Sequence, residues 1–133
     1  MILADVMDEL ALRLRVIPGL EAYAWPVPTA TIPAALVYYP KTWEYLTYGD
    51  EKEAYTLDVV VLAGKPDDRP TRQVLSDYLR TSGPTSVIQA LQTGQTTVFD
   101  IIDVQEVEVG AYQLAGVTYL AVICGCKISG SRS

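Results

Sequence analysis

The sequence predicts an α+β domain: a mainly antiparallel sheet of four to five strands, with an N-terminal helix and two central helices packed on it. Three observations carry this expectation. Apolar residues recur at helical spacing in three segments, and alternate or form short unbroken runs in four others. These patterns come in the order helix, two strands, two helices, two strands, and grouping of this kind favours hairpins over the strand-helix alternation of a doubly wound sheet. Half of the residues are hydrophobic and 20% are charged, which supplies one core for a single domain of 133 residues and excludes a disordered chain.

The elements follow in order. Leu3, Val6, Met7, Leu10, Leu14 and Ile17 recur at spacings of three and four, so residues 3–16 form an amphipathic helix. Its acids come early and Arg13 and Arg15 late, which suits the helix dipole, and Pro18-Gly19 stops it. Pro26, Pro28 and Pro33 exclude a central strand between Leu20 and Pro33, although Tyr23 and Trp25 alternate well enough for a short edge strand. The β-branched and aromatic runs at 34–40 and 53–64 read as the centre of the sheet. Between them, residues 41–53 keep alternating through Trp43 and Tyr45 and turn at Gly49-Asp50, which predicts a protruding hairpin.

Asp67 or Asp68 caps a second helix, with Pro70 tolerated in its first turn and Val74, Leu75, Tyr78 and Leu79 as its apolar face. A shorter helix spans Thr85 to Gln92, with Val87, Ile88 and Leu91 inward and Gly94 at its end. Strands at 98–109 and 117–128 follow, joined through Gly110 and Ala115-Gly116. The polar residues 129–133 are expected to fray.

Charge and composition exclude several functions. Ten Lys and Arg against sixteen Asp and Glu leave a charge of −6, with no basic run to neutralise a row of phosphates. The chain has no histidine, which removes Ser-His-Asp and Cys-His relays, histidine metal ligands and a histidine pH switch. Cys124 and Cys126 on one strand face stand about 6 to 7 Å apart at Cβ, too far to bridge, and two cysteines without histidine cannot complete a zinc site. Both are expected to be reduced core residues. Acids at Asp5, Asp8 and Glu9 stand where a signal peptide carries positive charge, and no apolar run approaches membrane-spanning length, so a cytoplasmic product without a membrane segment is expected.

The carboxylate pairs Asp67-Asp68 and Asp100 with Asp103 are the obvious places for acid/base or metal chemistry. The first pair stands where a helix cap belongs, and the second falls on opposite faces of a regular strand. No phosphate loop, nucleophile elbow or dinucleotide fingerprint occurs. No catalytic residue, cofactor or metal ligand is therefore expected. The alternative of a small carboxylate-dependent enzyme would require a concave site with acids of perturbed pKa.

Aromatic residues are concentrated instead. Tyr23, Trp25, Tyr38, Tyr39, Trp43, Tyr45, Tyr48 and Tyr55 are eight of the twelve in the chain, and Tyr and Trp are the usual anchors of protein interfaces. Those on the central strands can be core. Trp43, Tyr45 and Tyr48, on a hairpin with no helix of its own, are the expected interface residues.

Read in order, the segments VIPGLEAYAWP, PAALVYYP, YTLDVVVLAGKPDDRPTRQVLSDYL, SGPTSVIQAL and GVTYLAVICGCKI resemble the tail terminator proteins of bacteriophages with long, non-contractile tails (siphoviruses), especially those infecting actinobacteria. The resemblance implies a structural virion protein of the tail neck, not an enzyme: a homo-hexameric ring that caps the completed tail tube, ends viral tail assembly and serves head-tail joining. Its implied partners are the major tail protein below and a head-to-tail stopper protein above, with duplex DNA passing through the lumen without specific binding. A stopper or adaptor ring of the same neck is the alternative. For such a ring, a wall rich in Lys and Arg would hold DNA and an acidic wall would let it slide. The lumen-facing acids are therefore expected among Asp50, Glu51, Glu53, Glu106 and Glu108. The protein would be located in the virion neck, and in the host cytoplasm during assembly.

Overall fold

The computed structural model describes residues 1–46 and 52–131. Helix α1 spans Leu3–Leu14, strand β1 Glu21–Tyr23, β2 Ala34–Val37, β3 Thr42–Leu46 and β4 Lys52–Gly64. Helices α2, Arg69–Tyr78, and α3, Val87–Gln92, precede the long strands β5, Ile101–Leu114, and β6, Val117–Ser131. The result is the expected α+β arrangement with one open six-stranded sheet, ordered β1-β2-β4-β6-β5, in which β3 also pairs with β4.

The sheet is mixed, with more strands than the four or five expected. Strand β1 runs parallel to β2, Glu21 lying opposite Ala34. Parallel neighbours need a crossover between them, and residues 24–33 supply it. Three prolines rule this stretch out as a ladder strand, so it crosses the sheet face and seats Val27, Ala30 and Ile32 there. The remaining pairings are antiparallel. Strands β2 and β3 share one side of β4 end to end: β2 takes Val59 to Leu62, and β3 takes Lys52 to Thr56.

The two faces of the sheet have different cores. On one, Val6, Leu10 and Leu14 of α1 meet Leu57, Val59 and Val61 of β4 and Cys124, Cys126 and Ile128 of β6, most of them wholly buried. Each such aliphatic side chain contributes about 1.5–3 kcal/mol by leaving water. The other face carries no helix. Its smaller core gathers Val27, Leu36, Val60, Leu62, Leu114 and Ala121 beneath the crossover. The sheet curls toward this side, because Tyr38 beside β4 and Tyr112 near the β5–β6 turn, well separated in register, meet edge to face at 6.1 Å. Irregular pairing between Val104 and Glu106, and between Leu62 and Gly64, marks bulges that help the curl.

Local differences from the sequence reading have physical causes. Helix α1 ends at Leu14, with Arg15 as its C-cap. Asp68 takes the N-cap position of α2, yet its side chain makes no capping bond. Ser86 caps α3 by accepting from the Gln89 amide. Gly110 does not break the β5–β6 hairpin, since β5 continues to Leu114 and the turn is made by Ala115 and Gly116, both at positive φ. Ser129, Gly130 and Ser131 pair with Ala54, Glu53 and Lys52, so the expected frayed tail is strand as far as residue 131.

Candidate assembly interface

Strand β3 sets Trp43 and Tyr45 on one side of the hairpin, opposite Tyr55 and Glu53 of β4. The parity of β4 puts these residues on the helix-bearing face, beyond the point where α1 begins. Both aromatics keep more than half of their surface in water: Trp43 is 56% and Tyr45 55% exposed. Their rings pack against each other at 5.7 Å and 75°. Tyr39, 61% exposed, precedes the hairpin. Within the described residues the hairpin extends the sheet edge alongside β4. Its turn, with Tyr48, Asp50 and Glu51, lies outside them.

Glu53 is placed differently from the expectation of a wall acid. It is 6% exposed, accepts the Trp43 indole N–H at 3.0 Å and lies 3.6 Å from the Met1 ammonium, which also donates to the Ser131 carbonyl. A carboxylate leaves water only when paired, and both of its oxygens are engaged here. Strand alternation alone could not distinguish this parity from an exposed one.

Glu106 and Glu108 are exposed and lie on the face opposite the helices. The register brings Asp58, Gly125 and Glu106 into one cross-strand row, with Lys127 opposite Asp103 in the next. Gly125 leaves this row open, since a Cβ there would stand 3.7 Å from Glu106 Cβ and 3.8 Å from Asp58 Oδ1. Lys41 pairs with Asp58 at 2.8 Å and Lys127 with Glu44 at 3.3 Å. Hydrogen bonding to Asp58, with the charges of Glu108 and Glu106 behind it, raises the Lys41 pKa above its ordinary value. Among the described residues, Glu44, Asp58, Asp103, Glu106 and Glu108 thus outnumber Lys41 and Lys127 on this stretch. Sequence reasoning missed Glu44 and Asp58 as members of this surface. Their signal was strand parity, legible only once the pairing partners were known.

The cavities offer little convergent chemistry. One of about 660 Å³ lies between the crossover and α2, with Lys65, Asp68 and Tyr119 among otherwise mostly apolar walls. Another of about 550 Å³ is bordered by Arg13, Gln95 and Asp100. No group of three or more His, Cys, Asp or Glu side chains among the described residues is arranged to hold a metal ion. Cys124 and Cys126 are free and buried. Burial pushes the Cys124 thiol up to about 12 and that of Cys126 higher still, so neither is a ready nucleophile. No helix is long and apolar enough to cross a membrane among the described residues. No protein-family model matches the chain, and no curated protein matches it.

Proposed function

We propose that the protein is a ring-forming structural component of a siphophage tail neck: a tail terminator that caps the tail tube and joins it to the head complex. The observation that carries this reading is the division of one curled sheet into an exposed aromatic edge at Trp43 and Tyr45 and a helix-free stretch dominated by carboxylates. An aromatic pair more than half exposed to water supports a contact with another subunit. An acidic stretch facing the lumen would repel passing duplex DNA, and a hexamer multiplies the chain's charge of −6 sixfold. The segment resemblance supplies the particular place in the virion.

Negative-stain imaging and native mass of the purified chain, combined with capture by immobilised major tail protein, test the proposal. A six-membered ring that holds the tail protein is expected. A stable 14.6 kDa monomer that ignores the tail protein would overturn it, and a ring that binds only head-side neck protein would make it the stopper instead.

A further inference from the structure

The sheet ends in two unlike borders on opposite sides. Strand β5, of 14 residues, pairs only with β6 among the described residues. On the other side the border is divided between β3, which pairs with β4, and β1, which lies beyond β2. Arg15 closes the β1 part by donating to the Ala22 carbonyl from Nε and Nη2. A border strand presents backbone N–H and C=O groups along its outer side and can take up a further strand.

Strands β3 and β5 match in direction, face and length. Successive antiparallel pairings from β3 through β4 and β6 to β5 leave β3 and β5 running oppositely. Two copies set side by side in the same orientation therefore present them as an antiparallel pair. Trp43 and Tyr45 lie on the helix-bearing face, and so do Ala111 and Val109, the latter 49% exposed. Glu44 lies on the helix-free face with its charge already met by Lys127 at 3.3 Å. Gly110 shares that face, with nothing within 4 Å of where its side chain would stand. The stretch from Val109 to Gln113 is uncharged and as long as the five residues of β3.

Charge and room favour the same register. Asp103, Glu106 and Glu108 lie earlier on β5, where they would oppose Glu44, and two β5 strands paired along their length would set these acids against each other. Strand β1 fills the place that continues past β3 beside β2, so a strand added beside β3 must stop there. Strand β5 does stop, at the Ala115-Gly116 turn.

We infer that β3 of one copy joins the sheet of a second copy as an antiparallel strand beside β5, with Tyr45 opposite Val109, Glu44 opposite Gly110 and Trp43 opposite Ala111. This rests on the ring-forming reading and specifies its contact. Backbone hydrogen bonds hold the joint, and covering the two aromatics adds to it. A head-to-tail joint of this kind closes into a ring when the rotation allows it, and the curl of the sheet sets its helix-free face inward.

Paired cysteines test it in the full-length chain. Within one copy, Glu44 and Gly110 are separated by three strand spacings, at least about 14 Å, too far for a disulfide. Glu44→Cys/Gly110→Cys can therefore cross-link only between copies, and the native thiols are buried. Mild oxidation should give a reducible ladder of covalent multimers beyond the dimer. Neither single cysteine variant should do so, and Glu44→Cys/Asp103→Cys should cross-link at least tenfold less. By analytical ultracentrifugation Val109→Glu should self-associate at least tenfold more weakly, and Tyr45→Lys/Val109→Glu should regain assembly, with circular dichroism checking the fold. Wild-type assembly without the Gly110 cross-link, a stronger cross-link at Asp103, or unchanged association of folded Val109→Glu would overturn this joint while leaving a ring seen by microscopy intact. Rings of Val109→Glu that lose the tail protein would make that protein the added strand and also overturn it. A wild-type monomer would overturn it too, and one that also ignores the tail protein would remove the ring reading as well.

Discussion

Trp43 donates its indole N–H to Glu53 Oε2 at 3.0 Å, a diagonal contact across the β3–β4 pairing, in which Trp43 faces Tyr55 and Tyr45 faces Glu53. One member is more than half exposed and the other is nearly sealed. The exposed indole is thus held by a buried charge, and the aromatic edge is presented in a fixed orientation. A preorganised side chain loses less entropy when a partner covers it.

Glu53→Ala should destabilise the domain more than Trp43→Phe. The first leaves the indole N–H and the Met1 ammonium without their carboxylate, an expected loss of about 1–3 kcal/mol. The second keeps an aromatic ring, smaller than the indole, and removes one hydrogen bond, worth about 0.5–1.5 kcal/mol. Urea unfolding of the two variants decides it; equal losses would show that Glu53 is not the anchor.

On the proposed ring reading, the acidic stretch predicts how the protein treats DNA. The wild type should not retain duplex DNA at low salt. Glu106→Lys/Glu108→Lys, at exposed positions of β5, should gain binding that weakens steeply with salt, as phosphate contacts do. Electrophoretic mobility shift across a salt series is the measurement, and tight binding by the wild type would remove the argument for an acidic lumen.

Alkali should weaken the fold through its thiols. Burial raises Cys124 to about 12 and also raises Cys126, while an unfolded cysteine ionises near 8.5. A group whose folded pKa lies above its unfolded value binds more protons when folded, so stability falls as pH rises past the unfolded pKa. The thiols' contribution is intact below about pH 8 and diminishes from about 9 toward 12, by up to about 1.4 kcal/mol per pH unit for each thiol. Melting temperature against pH should show this decline, and Cys124→Ala/Cys126→Ala should flatten it. Thiol reagents should label neither residue quickly in the native protein; rapid labelling would mean that β6 is exposed.

Gly64 should resist substitution. A Cβ there would stand 2.5 Å from Thr71 Oγ1 and 3.4 Å from Thr71 Cβ, because the end of β4 packs directly on the first turn of α2. Gly64→Ala is expected to cost about 1–3 kcal/mol by overpacking. Gly64 also holds φ +158°, which strains any side chain, so adding Thr71→Ala should recover only the steric part of the loss, still giving a non-additive double-mutant cycle in thermal or urea unfolding.

Legibility in the sequence varied with the range of the interaction. The helical spacing through Leu10 and Leu14 and the run VVVLAG marked α1 and β4 unaided, because their neighbours in sequence decide those periods. The aromatic concentration around Trp43 was equally visible. The parallel β1–β2 pair was not, since its crossover is a proline-rich stretch whose role as a cover depends on Leu36, Val60 and Leu62 lying beneath it. The apolar groove of about 470 Å³ bordered by Leu12 and Val16 escaped for the same reason, because Pro84, ahead of α3, and Ala90 on α3 complete it from far along the chain.

The sequence by itself determined the α+β class, the places of the helices and long strands, the negative charge and the inert position of the two cysteines. These follow from local periodicity and composition, which act through neighbouring residues. Only the tertiary structure decided that Glu53 is buried while Glu106 and Glu108 remain in water, though all three occupy strands of alternating pattern. Alternation says that two faces exist; which face meets the helices depends on pairing register. A shift of one residue exchanges the faces, and that register is set by β4 lying between β3 and β6.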